Sequence, residues 1–190
     1  MIRYIRSNQT EKLPESKRNL NVEDVWLKHF DGTEKSVVRI CKILGIRKME
    51  IVEAYISDSV TSIGRWAFEA CNSLANITIP DSVKVIGAYA FHGCVSLKHI
   101  TIPDSVTEIG EAAFMSCNSL ESIILPYGIK EIRQETFSEC TSLTSIVIPN
   151  SVTEIDEDVF RGCNSLTVIT GNPYAIEYCK KNNIKYIDEM

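Results

Sequence analysis

A repeat of 23 residues is the feature that most constrains the fold of this 190-residue chain. Five consecutive blocks align between residues 56 and 170 without an insertion or deletion. Seven positions are apolar in every block: an opening Ile or Leu, a Val or Ile four residues later, and then Ile, Phe, Cys, Leu and Ile. A block of this length cannot bury its own apolar side chains, so the copies must stack, and each position becomes a ladder along the stack. The sequence therefore predicts a solenoid.

Each block also predicts its local conformation. The alternating segment before proline indicates a short strand, in which Ile77 and Ile79 point inward and Asn76 and Thr78 outward. Proline ends the strand because it donates no ladder hydrogen bond. The following Ser-Val-x-x-Ile-Gly indicates a second extended piece, and Ala-Phe-x-x-Cys a tight helical or 3₁₀ turn. The predicted fold is an α/β repeat solenoid with short parallel strands and tight helical turns.

The blocks resemble the BspA-type leucine-rich-repeat family, whose copies follow Leu-x-x-Ile-x-Ile-Pro-x-Ser-Val-x-x-Ile-Gly-x-x-Ala-Phe-x-x-Cys. The match extends over residues 56–170. The sequence departs from the pattern at Ser57, Arg133, Thr136, Asp156 and Val159. The resemblance implies a right-handed leucine-rich-repeat superhelix, no enzymatic activity, and a role in protein binding, often as a bacterial surface adhesin.

The N-terminal part of the chain fits the repeat poorly. Residues 1–32 are interpreted as a loose polar arm followed by a short helix that begins near Asn21 and Asp24. Residues 33–55 align with a block that lacks its Phe and Cys, and are interpreted as a degenerate capping repeat. A β-hairpin that turns near Gly45 fits them nearly as well, with strands from Val37 to Leu44 and from Met49 to Ile56.

The C-terminal residues 171–190 predict a cap made of a helix and a strand. Asn172 and Pro173 indicate the start of the helix, and Asn182 with Asn183 its end. Residues 184–187 then suit a last strand. We expect caps at both ends, because the terminal ladders of an open solenoid would otherwise face water.

Charge is unevenly distributed along the chain. Residues 1–50 contain 11 Lys and Arg against 7 Asp and Glu, whereas the remainder is acidic and the net charge is −5. An acidic body repels nucleic acid and anionic lipid, so we expect neither nucleic acid nor membrane as a partner. The N-terminus lacks the apolar stretch of a secretory signal. This predicts a cytoplasmic protein, or a cell-surface or secreted one if a signal has been removed.

Several groups of side chains suggest chemistry, and each has a simpler explanation. The repeat cysteines are Cys71, Cys94, Cys117, Cys140 and Cys163. No Cys-x-x-Cys pair accompanies them, so we predict buried, reduced core residues. Asp58, Asp81 and Asp104 form a file that could attract a cation, but Asx turns explain them better. His92 and His99 show no catalytic arrangement with Ser or Cys. We expect no active site, metal or cofactor.

Acidic side chains gather outside the ladders of the later blocks. They are Glu108, Glu111, Glu131, Glu135, Glu154, Glu157 and Asp158. We interpret them as a solvated face, with a patch for a basic partner as the alternative.

Together these patterns predict a non-catalytic, monomeric module that binds a protein partner through outward strand positions. The predicted contact residues are Asn76, Thr78, His99, Thr101, Ser122, Ile124, Ser145, Val147, Val168 and Thr170. Ile124, Val147 and Val168 would form one apolar patch among them. The alternatives are a structural protein that self-assembles through solenoid ends or edges, and an adhesin fragment of a surface protein.

Overall fold

In the computed structural model, the described residues are 30–44 and 46–189. The arm and the short helix predicted near Asn21 lie outside them. The described residues form a parallel β-solenoid of about five turns. Its helices are α1 (Glu34–Leu44) and α2 (Pro173–Lys181), with a 3₁₀ turn at Lys48–Glu50. Its strands are β1 (Glu53–Tyr55), β2 (Ser62–Ile63), β3 (Asn76–Thr78), β4 (Val85–Ile86), β5 (Glu108–Ile109), β6 (Ser122–Ile124), β7 (Glu131–Ile132), β8 (Ser145–Val147), β9 (Glu154–Ile155), β10 (Thr167–Thr170) and β11 (Lys185–Asp188).

Short parallel strands cover two sides of the solenoid. One side consists of the sheets β1-β3 and β6-β8-β10-β11, and we call it the strand face. The other side consists of the sheets β2-β4-β5 and β7-β9. Ladder partners such as Ala54 and Ile77, or Ile123 and Ile146, are one 23-residue block apart. The two sides correspond to the two extended segments predicted in each block.

The strand face is interrupted in the block that begins at Ile79. Residues 99–101 lie between β3 and β6 but belong to no strand. Within the described part of the chain, no backbone hydrogen bond joins these three residues to either neighbouring strand. One residue earlier, the Glu121 N–H still donates to the Lys98 carbonyl at 3.1 Å. The strand predicted for this block is therefore absent.

The last block departs from the 23-residue register. Val168 pairs with Ile146, and Ile169 with Val147, an offset of 22 residues. Val168 and Thr170 are consequently 0% and 2% exposed. The prediction that they point outward, and that Ile169 points inward, is therefore wrong.

Hydrogen bonds explain why this register is preferred. The sequence of β10, Thr-Val-Ile-Thr, places an apolar residue inward in either of two registers. The sequence pattern alone therefore does not decide between these registers. In the observed register the buried Thr170 hydroxyl donates to the Ile148 carbonyl at 2.8 Å and accepts from the Asn172 N–H at 3.0 Å. A buried hydroxyl is tolerated when its hydrogen bonds are satisfied in this way.

The seven apolar ladders form the core, with Val168 in place of Ile169 in the last block. Their other members are buried, except Ile77 and Ile155, which are half-buried. The Phe ladder is a stack of rings with centroids 5.3 to 5.9 Å apart and interplanar angles of 11° or less. Phe30 contacts one end of the stack, and Tyr178 contacts the other. The aromatic stack therefore runs through the whole solenoid.

The Ala-Phe-x-x-Cys segments are not helical, contrary to the prediction. Two residues in each block have a left-handed backbone. The first of these positions holds Trp66, Tyr89, Ala112, Glu135 and Asp158, with φ between 49° and 58°. Alternate N–H groups of each turn bond to the next block, so that Phe91 donates to the Ala113 carbonyl at 2.8 Å. A helix would satisfy these groups internally and leave the blocks unconnected on this side, which we call the turn face.

Gly110 lies where the backbones of two turns approach closely. A Cβ at this position would overlap the backbone nitrogen of Ala88. Gly93, by contrast, has a φ of +71°, but a Cβ there would meet no atom nearer than 3.7 Å. We expect Gly110→Ala to lower the free energy of unfolding by about 2 to 3 kcal/mol through overpacking. Gly93→Ala should cost about 1 kcal/mol, the usual effect of a left-handed backbone. Urea unfolding measures both losses, and equal losses would contradict this explanation.

Helix α1 covers the first turn of the solenoid. Its buried side, which includes Val37, Ile40 and Leu44, belongs to the same core as the ladders. The β-hairpin alternative is wrong, because the residues proposed for its first strand are helical. After the helix, β1 joins the strand face by pairing with β3.

Helix α2 is anchored to the last block by Asn172. This side chain is completely buried and accepts hydrogen bonds from the Tyr174 and Ala175 N–H groups. Its amide donates to the Pro149 and Val152 carbonyls at 3.0 and 2.7 Å. The helix and the strand predicted after Asn172 are both present.

Candidate binding site on the strand face

The strand face contains most of the residues predicted to contact a partner. Asn76, Thr78, His99, Thr101, Ser122 and Ile124 are exposed, and Ser145 and Val147 are half-buried. Val168 and Thr170 are absent from this surface because the register of β10 turns them into the core. The set of exposed contact residues therefore ends before β10, whereas the sequence predicts that it continues onto that strand.

An apolar row crosses four neighbouring strands of this face. Ile124 of β6 lies beside Val147 of β8, and Val147 lies beside Ile169 of β10. Ile169 in turn pairs with Ile187 of β11. Ile124 and Ile187, at the two ends, are 67% and 50% exposed, and the two residues between them are half-buried. We call these four residues the apolar row.

Sequence analysis finds only part of the apolar row. It identifies Ile124 and Val147 from strand alternation, but it names Val168 in place of Ile169. It does not identify Ile187, because β11 lies outside the 23-residue period and the sequence gives no register for it. The strand-like pattern after helix α2 is the sequence signal that could have directed attention to Ile187.

A cavity of about 320 Å³ lies beside the apolar row, where the strand face is interrupted. His99, Thr101, Ile124 and Tyr127 contribute to its lining. Tyr127 is 77% exposed and occupies the position that holds Asp or Asn in the other blocks. The cavity therefore combines apolar side chains with the unpaired backbone of residues 99–101. Such a combination suits a side chain or an extended segment of a protein partner.

Charged and polar pairs lie on the strand face next to this cavity and toward β1. The Asn76 amide donates to the Glu53 carboxylate at 3.1 Å. Around Glu121, the His99 ring nitrogen lies 3.9 Å away and the Lys98 ammonium 3.7 Å away. The face is thus polar toward β1 and apolar toward β11.

The repeat cysteines lie in the core, as predicted. Cys94 and Cys117 are fully buried, and their thiols donate to the Phe68 and Phe91 carbonyls at 3.2 Å. All five are free thiols. Burial raises the pKa of Cys94 to about 12 and raises the pKa of Cys117 well above the usual value. Because the thiolate is the nucleophilic and metal-binding form, burial makes these thiols less reactive in the native state.

The other candidate groups do not converge on a site. Asp58, Asp81 and Asp104 are exposed. In the described residues, the carboxylates brought within 4.8 Å of one another are those of Glu131, Glu154 and Asp156. Asp156 accepts from the Gln134 N–H, and the Arg133 guanidinium lies 3.1 Å from Glu131. His92 and His99 lie beside Glu69 and Glu121, respectively.

Arginines partly neutralise the acidic residues of the later blocks. Glu108, Glu111, Glu154, Glu157 and Asp158 are exposed, whereas Glu131 and Glu135 are half-buried. Arg133 lies within 3.7 Å of Glu108, and Arg161 within 3.4 Å of Glu135. This surface is a mixed-charge face that lies off the apolar row.

Comparison with known proteins identifies the repeat. Residues 47–167 match six copies of the BspA type Leucine rich repeat region. The chain belongs to the BspA-type leucine-rich-repeat family. The matched range begins before the five blocks recognised in the sequence and includes β1, which pairs with β3 in the register of the repeat.

Solved leucine-rich-repeat proteins share the fold of this BspA-type chain. A leucine-rich-repeat protein of T. pallidum is 38% identical, with a TM-score of 0.60 over 62% of this chain and 58% of that one. One from Bacteroides ovatus is 36% identical, with a TM-score of 0.57 over 63% and 35%. A leucine rich cell surface protein of Faecalibacterium prausnitzii is 34% identical, with a TM-score of 0.51 over 62% and 38%.

The BspA-type chain thus spans less than two thirds of the length of each of these three proteins. It has no match among curated proteins. In the described residues, no helix is both long enough and apolar enough to cross a membrane.

Proposed function

We propose that this BspA-type chain is a non-catalytic module that binds a protein partner through its strand face. The apolar row carries the proposal, because its two end residues, Ile124 and Ile187, are each at least half exposed. A contiguous exposed apolar surface rimmed by polar residues is typical of a protein contact site. Ser122 and Thr101 supply polar groups next to the row.

The chemistry of the partner follows from the same surface. An apolar side chain of the partner would enter the cavity between His99 and Tyr127. The free backbone groups of residues 99–101 would bond to the main chain of an extended segment, as in other strand-addition complexes. The net charge of −5 disfavours nucleic acid and anionic membranes as partners.

Further features complete this proposal. The solenoid is a right-handed superhelix, and α1 and α2 act as its caps. Of the two locations expected from the sequence, the Faecalibacterium protein supports the cell surface, because that relative is a cell-surface protein. An adhesin-like role in a longer surface protein is compatible with a binding module of this kind.

A pair of substitutions tests the proposed surface. Ile124→Asp and Val147→Asp each place a carboxylate in the apolar row. Val38→Asp is the matched control, because Val38 is a 54% exposed β-branched residue on α1, away from the strand face. We expect each row variant to weaken binding of a partner obtained by affinity capture at least about 30-fold, as for a central contact residue. The control should bind within about threefold of the wild type.

Circular dichroism and urea unfolding establish that the variants are folded before binding is compared. Unchanged affinity in both row variants would rule out the apolar row as the contact. Charge reversal with Lys at Glu131 and Glu154 would then examine the mixed-charge face.

A further inference from the structure

Strand β11 is an open edge of the strand face. The order of its sheet is β11-β10-β8-β6, and in the described residues no strand pairs with the far side of β11. An unpaired edge strand presents a row of free N–H and C=O groups and is a template for another strand. The apolar row ends on this edge, at the 50% exposed Ile187.

The backbone of β11 shows which groups point to the open edge. In a parallel ladder, alternate residues direct both their N–H and C=O groups to the same neighbour. Glu189 donates to the Thr170 carbonyl at 3.2 Å, so residues 185, 187 and 189 face β10. Tyr186 and Asp188 therefore direct their backbone groups to the open side.

Side-chain charge then selects one pairing of this edge with a copy of itself. In an antiparallel pair, facing residues lie on the same side of the sheet, and Lys185, Ile187 and Glu189 share one side. With Ile187 opposite its own copy, Lys185 faces Glu189 of the second copy, and this contact occurs twice. The backbone groups of Tyr186 and Asp188 bond across the junction in the same register. A shift of two residues would place Lys185 opposite Ile187 and would lose both charge pairs.

We propose that two copies of this chain associate by antiparallel pairing of their β11 strands, centred on Ile187. The two four-stranded sheets become one eight-stranded sheet, and the apolar rows of both copies join end to end. Because each copy contributes only about five residues to the junction, the buried area is below that of a standard interface, and the dimer is weak. We expect a Kd on the order of 100 μM, so the chain is a monomer when dilute.

Charge reversal tests the register. Lys185→Glu creates two Glu–Glu contacts across the junction, and Glu189→Lys creates two Lys–Lys contacts. Each single variant should raise the Kd at least about tenfold, because facing like charges are destabilising. The double variant Lys185→Glu/Glu189→Lys restores both pairs and should associate within about threefold of the wild type. An equimolar mixture of the two single variants should form a heterodimer more tightly than either variant associates with itself.

Sedimentation velocity of the full chain, from about 10 μM to 1 mM, measures these associations. A wild type that remains a monomer throughout this range overturns the proposal. Equal self-association of all four proteins also overturns it, because a contact at another surface would not respond to these charges. Association through the faces of the apolar rows would instead be weakened by Ile124→Asp.

Crosslinking gives an independent readout of the same geometry. Ile187 faces its copy in a non-hydrogen-bonded pair, whose Cα atoms lie about 4.5 Å apart, within disulfide reach. Ile187→Cys should therefore form a disulfide-linked dimer under mild oxidation. Ile124→Cys is the matched control: it is more exposed than Ile187, but seven strand spacings, about 34 Å, separate it from its copy. Equal crosslinking of the two variants would contradict the proposed junction.

Discussion

Raising the pH from 8 to 10 is expected to lower the free energy of unfolding by roughly 5 to 10 kcal/mol through the five repeat thiols, which is most of the stability of an ordinary domain. Burial raises the pKa of Cys94 to about 12 and that of Cys163 to about 11. The pKa values of Cys71, Cys117 and Cys140 are raised by the same burial. In the unfolded chain these thiols ionise near pH 8.5 to 9.

The sign follows from the difference between the two states. Below about pH 8.5 the thiols are protonated in both the native and the unfolded state, and their contribution to stability is complete. Above that pH the unfolded chain releases protons that the native core retains, so stability falls until the pH reaches the raised native pKa values. Each of the five repeat thiols contributes a loss of about 1 to 2 kcal/mol between pH 8 and pH 10.

Urea unfolding at the two pH values, with a reductant present, measures the loss. Cys117→Ala is the control, because it removes one thiol from the middle of the ladder. Its stability should fall between pH 8 and pH 10 by about 1 to 2 kcal/mol less than that of the wild type, whatever its stability at pH 8. A total loss below about 2 kcal/mol in the wild type would show that the thiols ionise in the native state.

Phe114→Ala is expected to lower the free energy of unfolding by about 3 to 5 kcal/mol. Phe114 is completely buried and stacks between Phe91 and Phe137, with centroid distances of 5.3 and 5.6 Å. The substitution leaves a cavity in the middle of the stack, which the rigid neighbouring turns cannot close. Chemical unfolding monitored by circular dichroism gives the value.

Tyr127→Ala provides the comparison for an aromatic residue of similar size on the surface. Tyr127 is 77% exposed, so its removal should change the stability by less than about 0.5 kcal/mol. A loss below about 1 kcal/mol for Phe114→Ala would be incompatible with a continuous aromatic core.

The 23-residue period correctly places residues whose environment repeats in every block. A position that is apolar in five stacked copies is expected inside the stack, and Phe114 and Cys117 are accordingly buried. Strand alternation likewise identifies Ile124 as exposed. These predictions succeed because the same local sequence meets the same neighbours on both sides.

Features decided by contacts between blocks could not be obtained in this way. The register of β10 depends on the bonds of Thr170 to Ile148 and Asn172, which no periodic pattern contains. The turn segments have a helix-compatible sequence, but hydrogen bonds such as that from Phe91 to Ala113 favour an open turn. Tyr127 and Ile187 belong to the candidate site because of the strands that lie next to them, and the repeat period does not give these neighbours.

The interruption of the strand face leaves its neighbouring blocks joined differently on the two sides of the solenoid. On the turn face, the N–H groups of Phe68 and Phe91 bond to the Ala90 and Ala113 carbonyls and hold the blocks together across this region. On the strand face, separating residues 99–101 from their neighbours breaks no backbone hydrogen bond. At residues 99–101 the two sheets are therefore held together by the packing of buried side chains such as Ile100, and not by a backbone ladder. The cavity beside Tyr127 lies at this interruption.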